Sequence, residues 1–310
     1  MIRVRGLAYV LFNVTDLDVA CTFLTDFGLE VSDRSSDRIA FGTADGNPYA
    51  YVAWKAEQNG FLGMGLEASR EDDLDALVSA GPGKRQEPLL PEFGGSRVTV
   101  ENPDGYRIDV VHGRDWLSRW PVRDPLIQNY GTRKQRINDS QRPPKGRVPA
   151  LRLGHIALRV PDANASAAWF GSHFGLKAAD VLVTPDAEER TVGVFMSCDP
   201  LQEITDHHSV FVSQSDNTGL HHVAFEVQDI DAVMSGHDFL INRGYRMEVG
   251  VGRHMAGSQV FDYWIDPFGS RIEHYADGDV VDARHAPSRI PATPEGVTQW
   301  GPIPPEKFFQ

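Results

Sequence analysis

The sequence predicts an α+β protein built from two similar halves, and three observations lead to this prediction. The segments LGHIALRVPD (153–162) and LHHVAFEVQD (220–229) both alternate apolar and polar residues, as half-buried strands do. Each segment reaches an aspartate that can cap a helix, and a helical pattern follows each of them. The N-terminal half repeats this plan with other residues. Internal repetition of this kind determines the architecture, so β-α units are expected in both halves.

The alignment of the two halves predicts which positions correspond. LAYVLFNVTD (7–16) aligns with 153–162, and ENPDGYRIDVV (101–111) aligns with IDPFGSRIEHY (265–275). GMGLEASREDDLDAL (63–77) aligns with HHVAFEVQDIDAV. Three side chains of the second half, His155, His222 and Glu273, therefore correspond to Tyr9, Gly63 and Asp109 of the first half. Only the second half keeps residue types that bind metals.

Composition shifts divide the chain into four parts. We predict an N-terminal domain without metal at 1–130, a linker at 131–149, a C-terminal catalytic domain at 150–283 and an extended tail at 284–310. The linker GTRKQRINDSQRPPKGRVP has no apolar periodicity, and a basic patch for an acidic partner is its alternative interpretation. The tail is rich in proline, and its Trp300, Phe308 and Phe309 are expected to hold it on the body of the protein.

Composition also bounds the class of protein. The 310 residues are 41% hydrophobic and 24% charged, which is typical of a globular chain. A formal charge of -13 disfavours a nucleic-acid partner. The two cysteines form no CxxC pair, which favours a reducing, cytoplasmic location over a disulfide scaffold. No segment approaches the roughly 20 apolar residues of a membrane helix, and Asp16 and Asp18 end the first apolar run, so neither a membrane span nor a signal peptide is expected.

Two histidines and one carboxylate form the candidate metal site. In each strand that carries a histidine, one face is apolar and the histidine lies on the other face, because side chains alternate along a strand. Glu273 lies in a third strand, RIEHY. Two His and one carboxylate from separate strands match the facial triad of non-haem Fe(II) enzymes. From this chemistry alone iron, manganese and zinc all remain open, and no reaction is indicated.

The stretch GRHMAGSQVFDYWIDPFGSRIEHY (252–275) carries a family resemblance. It resembles the signature of the type I extradiol dioxygenases of the vicinal oxygen chelate superfamily, which include catechol 2,3- and 2,3-dihydroxybiphenyl 1,2-dioxygenases. The resemblance covers nearly the whole chain. It implies tandem βαβββ modules in two similar domains, each forming a cupped mixed sheet.

The resemblance also implies a role for each site residue. His155, His222 and Glu273 match the iron ligands, with Mn(II) as the alternative metal to Fe(II). In each HisHis pair the second residue matches the functional position, which favours His222 over His221 as a ligand. The remaining matches are catalytic: His208 rather than His207 as the acid–base residue, and His254 with Tyr263 as the pair that hydrogen-bonds the substrate. One departure is Gly257, where many members carry an acidic residue.

The activity implied by the resemblance is extradiol (meta) cleavage of a catechol-type ring by dioxygen at a mononuclear Fe(II) centre, in aromatic compound catabolism. The expected partners are a catechol-type substrate and dioxygen, and members of this family commonly form homo-oligomers. Two other enzymes of the superfamily are alternatives, a glyoxalase-like isomerase and a hydroquinone-cleaving dioxygenase. A metal-free small-molecule binding module is a further alternative, although sequestration has no need of a facial triad.

Overall fold

A computed structural model of the protein describes residues 2–198 and 204–309. The first half contains two consecutive βαβββ modules. The first module comprises β1 (Val4–Val14), α1 (Leu17–Asp26), β2 (Glu30–Arg34), β3 (Arg38–Gly42) and β4 (Tyr51–Lys55). The second comprises β5 (Gly60–Ala68), α2 (Glu71–Ser79), β6 (Lys84–Gln86), β7 (Gly94–Glu101) and β8 (Arg107–Arg114). These strands form one mixed sheet in the order β2-β3-β4-β1-β5-β8-β7-β6.

The second half repeats the same two modules with small additions. Its elements are β9 (Arg152–Val160), α3 (Ala163–Phe174), β10 (Lys177–Val183), β11 (Thr191–Ser197), β12 (Thr205–Asp206), β13 (Val210–Gln214), β14 (Gly219–Glu226), α4 (Ile230–Asn242), β15 (Arg246–His254), β16 (Val260–Ile265), β17 (Arg271–Ala276) and β18 (Val280–Val281). The predicted α+β fold of tandem βαβββ modules is therefore confirmed. The predicted domain boundaries stay predictions.

The C-terminal tail adds two strands to the second sheet. It contains β19 (Ser288–Pro291), the helical turn α5 (Pro294–Val297) and β20 (Thr298–Trp300). The sheet order is β19-β10-β11-β13-β9-β14-β17-β16-β15-β20, so the tail strands are its two edges. The turn between them follows from local chemistry, because the Thr293 side chain accepts from Gly296 N–H and a proline fits the first helical position. Near the end, Phe308 is buried whereas Trp300 is exposed.

Aspartates begin three of the long helices, as the sequence predicts. Asp16 accepts the N–H groups of Asp18 and Val19 at the start of α1. Asp162 and Asp229 cap α3 and α4 in the same way, each accepting one backbone N–H. These side chains satisfy N–H groups that have no partner within a helix, and each strand therefore passes directly into a stable helix.

The register of the second sheet aligns the histidine-bearing strands with the strand of Glu273. On β14, Ala224 lies opposite His155 of β9 and also opposite Glu273 of β17. His222 lies opposite Ala157, two residues along β9 from His155. Because residues two apart on a strand share a face, the register directs these three side chains to one side of the sheet.

The first sheet has the same register with other side chains. Gly65 of β5 lies opposite Tyr9 of β1 and opposite Asp109 of β8. Gly63 lies opposite Leu11, as His222 lies opposite Ala157. The correspondence deduced from the internal repeat therefore holds in the structure.

The face of β17 opposite to Glu273 packs against the first half of the chain. His274, the neighbour of Glu273, is fully buried and its ring stacks on that of Phe27 at 3.8 Å. His274 Nε2 lies 2.7 Å from the Phe27 carbonyl oxygen, to which it donates. The strand that carries the carboxylate is thus held from behind by the first half. None of the helices in the described part of the chain is long and apolar enough to cross a membrane.

Candidate metal centre

The three predicted ligands converge on one point. His155 Nε2 lies 3.1 Å from His222 Nε2 and 3.1 Å from Glu273 Oε2. His222 Nε2 lies 3.3 Å from the same carboxylate oxygen. All three side chains are buried. The structure therefore brings together the two imidazoles and the carboxylate that the sequence singled out, although their role as ligands stays a prediction.

The hydrogen bonding of this cluster fits a divalent cation. Glu273 is fully buried, and among the described residues neither of its carboxylate oxygens has a hydrogen-bond partner. An unpaired carboxylate of this kind is costly to bury, by several kcal/mol. A cation held by Glu273 and by the Nε2 atoms of both histidines would offset that cost. Two His and one carboxylate leave further coordination positions open, as in non-haem Fe(II) enzymes.

The first histidine of the second HisHis pair contacts the second one through a ring nitrogen. His221 Nδ1 lies 2.6 Å from His222 Nδ1, and His221 Nε2 lies 2.8 Å from the Phe308 carbonyl oxygen. The carbonyl requires a proton on His221 Nε2, whereas Arg271 Nη1, which lies 2.9 Å from the same nitrogen, requires a lone pair there. In the tautomer that donates to the carbonyl, His221 Nδ1 accepts from His222, and His222 Nε2 keeps its lone pair for a metal. Burial, followed by the positive charge of Arg271, lowers the pKa of His221 well below its usual value. Burial also lowers the pKa of His222, which favours the neutral form that binds metals.

His208 lies beside the first ligand. Its ring centroid is 4.4 Å from that of His155, and the side chain is almost fully buried. Strand β13 runs parallel to β9 with Val210 opposite Ile156, which places the residues just before β13 next to His155. Burial, and then the nearby His155, lowers the pKa of His208 well below its usual value, so the ring is neutral near pH 7. A neutral imidazole in this position can accept a proton and later return it.

His254 and Tyr263 form a hydrogen-bonded pair beside the second ligand. The Tyr263 hydroxyl lies 2.8 Å from His254 Nε2, and His254 Nδ1 lies 3.3 Å from the Val297 carbonyl oxygen. Because that carbonyl accepts from Nδ1, the hydroxyl donates to Nε2. The Tyr263 ring is 5.3 Å from the ring of His222. Burial, and then the charge of Glu273, raises the pKa of Tyr263 well above its usual value, so the hydroxyl keeps its proton.

A cavity of about 90 Å³ lies over these groups. Its walls include His155, His208, His222, His254 and Tyr263. Most of its other lining is apolar and comes from distant parts of the chain: Leu182, Phe195, Phe211, Ala256, Val297, Pro304 and Phe308. The cavity combines a few polar groups with an apolar wall, as small-molecule sites usually do. Such walls exclude water from the reacting groups.

Sequence reasoning missed several residues that shape the site. Phe195 and Phe308 line the cavity, and the Phe308 carbonyl oxygen lies 2.8 Å from His221 Nε2. Asp180 lies 2.9 Å from His207, behind His208. A charged residue in the otherwise apolar run AADVLV (178–183) was the one available signal for Asp180. For the phenylalanines no local pattern distinguishes a cavity wall from an ordinary core position.

The equivalent position in the first half is closed by hydrogen bonds between protein groups. Asp109 accepts from the Tyr9 hydroxyl at 2.8 Å and from the Thr99 hydroxyl at 2.5 Å. The guanidinium groups of Arg97 and Arg107 lie 3.1 and 2.9 Å from the same carboxylate. Unlike Glu273, this buried carboxylate is fully satisfied. The first half therefore replaces the candidate metal centre with a polar network.

Replacing Asp109 by alanine is expected to destabilise the fold by about 3–5 kcal/mol, because it leaves two guanidinium groups facing a buried polar cluster. Urea unfolding followed by fluorescence measures this loss. Iron content per folded chain should stay unchanged. Tyr9→Phe, which removes a single hydrogen bond, serves as the matched control and should cost only about 1 kcal/mol. A large loss of iron in either variant would contradict the view that the first half holds no metal.

Comparison with known proteins finds a similar domain family and similar full-length proteins. Residues 152–274 match the model of the Glyoxalase/Bleomycin resistance protein/Dioxygenase superfamily. The chain is 28% identical to Metapyrocatechase 2 of Cupriavidus necator over 99% of this chain and 92% of that protein. It is 24% identical to the iron-dependent extradiol dioxygenase of Rhodococcus jostii over 96% of each chain.

Solved structures show the same fold at lower identity. Homoprotocatechuate 2,3-dioxygenase of Brevibacterium fuscum superposes with a TM-score of 0.80 at 19% identity, covering 100% of this chain and 92% of that one. The Mn(II)-bound glyoxalase of Novosphingobium aromaticivorans also has a TM-score of 0.80, at 23% identity, with 100% and 95% covered. The matched domain, the named relatives and the shared fold together show that this chain is similar to proteins of the Glyoxalase/Bleomycin resistance protein/Dioxygenase superfamily and to named extradiol dioxygenases.

Proposed function

We propose that this protein is an Fe(II)-dependent extradiol dioxygenase that cleaves a catechol-type ring with dioxygen. One observation carries the proposal: a buried carboxylate without hydrogen-bond partners among the described residues meets two imidazole Nε2 atoms at 3.1 and 3.3 Å. Relatives named metapyrocatechase and iron-dependent extradiol dioxygenase, each matched over nearly the whole chain, support the same reaction. Because a Mn(II)-bound structure shares the fold, Mn(II) is the alternative metal.

His155, His222 and Glu273 would hold the iron. Bound there, Fe(II) would supply Lewis-acid and one-electron redox chemistry for the reaction of a catecholate with dioxygen. The remaining groups of the cavity handle protons and exclude water. His208 lies beside His155, and Tyr263 lies beside His222. The two proton-transfer steps would therefore take place next to different ligand histidines.

Tyr263 and His254 would receive a proton from the substrate. The Tyr263 hydroxyl donates to His254 Nε2 across 2.8 Å, so the phenol oxygen is left with lone pairs that a substrate hydroxyl can approach. When the substrate proton moves to the Tyr263 oxygen, the tyrosine's own proton can pass to His254. This transfer leaves the substrate oxygen ionised and neither residue anionic.

His208 would serve the second proton step. Its neutral ring lines the cavity and can accept a proton on one nitrogen and return it during rearrangement of the ring. The apolar wall of Phe195, Phe211 and Phe308 keeps water from competing for that proton. Insertion of oxygen between the hydroxylated carbon and its neighbour would yield a 2-hydroxymuconic semialdehyde-type product.

Metal exchange tests this function. Protein loaded anaerobically with Fe(II) should take up oxygen when catechol and air are added, and a yellow ring-opened product should form. Brief peroxide treatment should abolish the activity without unfolding, and ascorbate with fresh Fe(II) should restore it. The Zn(II) form should be inactive, because zinc has no accessible redox step. If the zinc form cleaved catechol as fast as the iron form, the dioxygenase proposal would fail.

A glyoxalase-like isomerase is the second candidate, favoured by the Mn(II)-bound glyoxalase that shares the fold. An isomerase would convert a hemithioacetal without consuming oxygen, and the same purified protein can be assayed for both reactions. A hydroquinone-cleaving dioxygenase would take up oxygen with hydroquinones and not with catechols.

Location and assembly complete the proposal. Neither Cys21 nor Cys198 forms a disulfide with another described residue, which suits the reducing cytoplasm. We propose that the enzyme works there as a homo-oligomer, and light scattering coupled to size-exclusion chromatography tests the assembly.

A further inference from the structure

Behind His208 lie two buried side chains, Asp180 and His207, that the proposed reaction does not yet use. Asp180 of β10 accepts the backbone N–H of Ser288 on Oδ1 at 2.8 Å, and its Oδ2 lies 2.9 Å from His207 Nε2. His207 Nδ1 in turn lies 3.1 Å from His208 Nδ1. Asp180, His207 and His208 are each at most 7% exposed. The three groups thus connect a tail strand to the wall of the cavity.

We propose that Asp180 acts through His207 to fix the tautomer of His208, with the proton of His208 on Nδ1 and the lone pair on Nε2. A carboxylate is far more acidic than an imidazolium, so the proton between Asp180 and His207 belongs to His207 Nε2. A neutral His207 then has a lone pair on Nδ1. The contact between the two Nδ1 atoms can be a hydrogen bond only if His208 donates.

The consequence for His208 is that its other nitrogen, Nε2, is a proton acceptor before substrate arrives. The opposite tautomer would make Nε2 a donor and unable to take a proton. That His208 is the acid–base residue rests on the proposed function, whereas the position of its proton rests on the three contacts alone. Asp180 and His207 are positioning residues, because neither lines the cavity.

Gly257 leaves the space in which the two histidines meet. A Cβ atom at this position would lie 3.0 Å from His207 Nδ1, closer than such contacts normally are. The backbone of Gly257 has φ +68°, a conformation that also disfavours larger residues. In this chain the ring of His207 takes the place next to His208, and the carboxylate of Asp180 lies one step further back.

Nitrogen-resolved NMR of the metal-free protein tests the proposal directly. Protein labelled with ¹⁵N at its histidines is measured at pH 8, where an ordinary imidazole is neutral. Spectra of His207→Phe and His208→Phe identify the two rings by their missing signals. We expect His207 to carry its proton on Nε2 and His208 on Nδ1. A wild-type spectrum with the His208 proton on Nε2 would overturn the proposal, whatever any variant does.

The sharpest variant is Asp180→Asn. The amide oxygen can still accept from Ser288 N–H, which turns the amide NH₂ toward His207 Nε2. His207 must then accept there and donate from Nδ1, so both histidines should exchange tautomers. Unchanged tautomers in a folded Asp180→Asn protein would contradict the proposal. The control is His285→Gln, an exposed neighbour whose Nε2 donates to the Ala179 carbonyl oxygen, and it should leave both tautomers unchanged.

Kinetics of the iron-loaded protein give a second measurement. Asp180→Asn should bind one iron, keep KM within about threefold and lose about 10²-fold in kcat, since its acid–base group has the wrong tautomer. If wild type shows no oxygen uptake at all, the proposed function fails while the NMR result still decides the tautomer. The alternative, a second metal held by Asp180, His207 and His285, predicts two zinc ions per wild-type chain and one in His285→Gln. That stoichiometry would overturn the proposal.

Discussion

The variant His222→Ala is expected to be a folded protein that holds no iron and takes up no oxygen. The imidazole Nε2 of His222 lies 3.1 Å from His155 Nε2 and 3.3 Å from Glu273 Oε2, so its removal takes away one of the three groups that meet at the centre. His155→Ala and Glu273→Ala should have the same effect. Iron content by mass spectrometry and oxygen uptake with catechol measure both losses.

His221→Ala is the matched control for this prediction. His221 adjoins the same ligand and contacts it only through Nδ1, at 2.6 Å. Loss of such a supporting partner is expected to weaken iron binding by about 10–100-fold without removing the site. If His222→Ala kept one iron per chain and His221→Ala lost it, the ligand would be His221 instead. Glu273→Gln, which keeps the shape and removes the charge, tests whether the carboxylate's charge is needed.

The variant His208→Phe is expected to bind iron and substrate as the wild type does and to have a kcat lower by about 10²–10⁴-fold. The ring centroid of His208 lies 4.4 Å from that of His155 and 5.0 Å from that of Phe195. An aromatic replacement therefore preserves the packing. The variant lacks a nitrogen that can accept and return a proton. Stopped-flow absorbance with catechol, before and after oxygen is added, separates binding from turnover.

Two outcomes would contradict the role of His208. An unchanged kcat would show that the residue is only a wall of the cavity. Loss of iron would make it a ligand, although His208 is not among the three described residues whose ligand atoms converge on the candidate metal centre. The control is Phe195→Leu, which alters the neighbouring wall and leaves the proton-transfer groups intact. It should change KM more than kcat.

The sequence predicted the fold class and the three residues of the candidate metal centre. Two histidines at matching places in a repeated strand pattern, together with Glu273, predicted a two-His, one-carboxylate cluster, and the register through Ala224 brings the three together. Strand periodicity suffices for this result because pairing between strands is regular, and a residue's number therefore predicts its face. The caps by Asp162 and Asp229 were also predictable from local sequence, because each aspartate directly precedes a helical pattern.

Only the tertiary structure decided what surrounds those residues. The contact of Asp180 with His207, and that of the Phe308 carbonyl with His221, join segments that are far apart in the chain. So does the network that closes the first-half counterpart around Asp109. These contacts depend on how strands and tail cross in space and on which ring nitrogen faces which neighbour. No sequence period encodes such crossings, because they follow from the packing of whole sheets rather than from alternation along one strand.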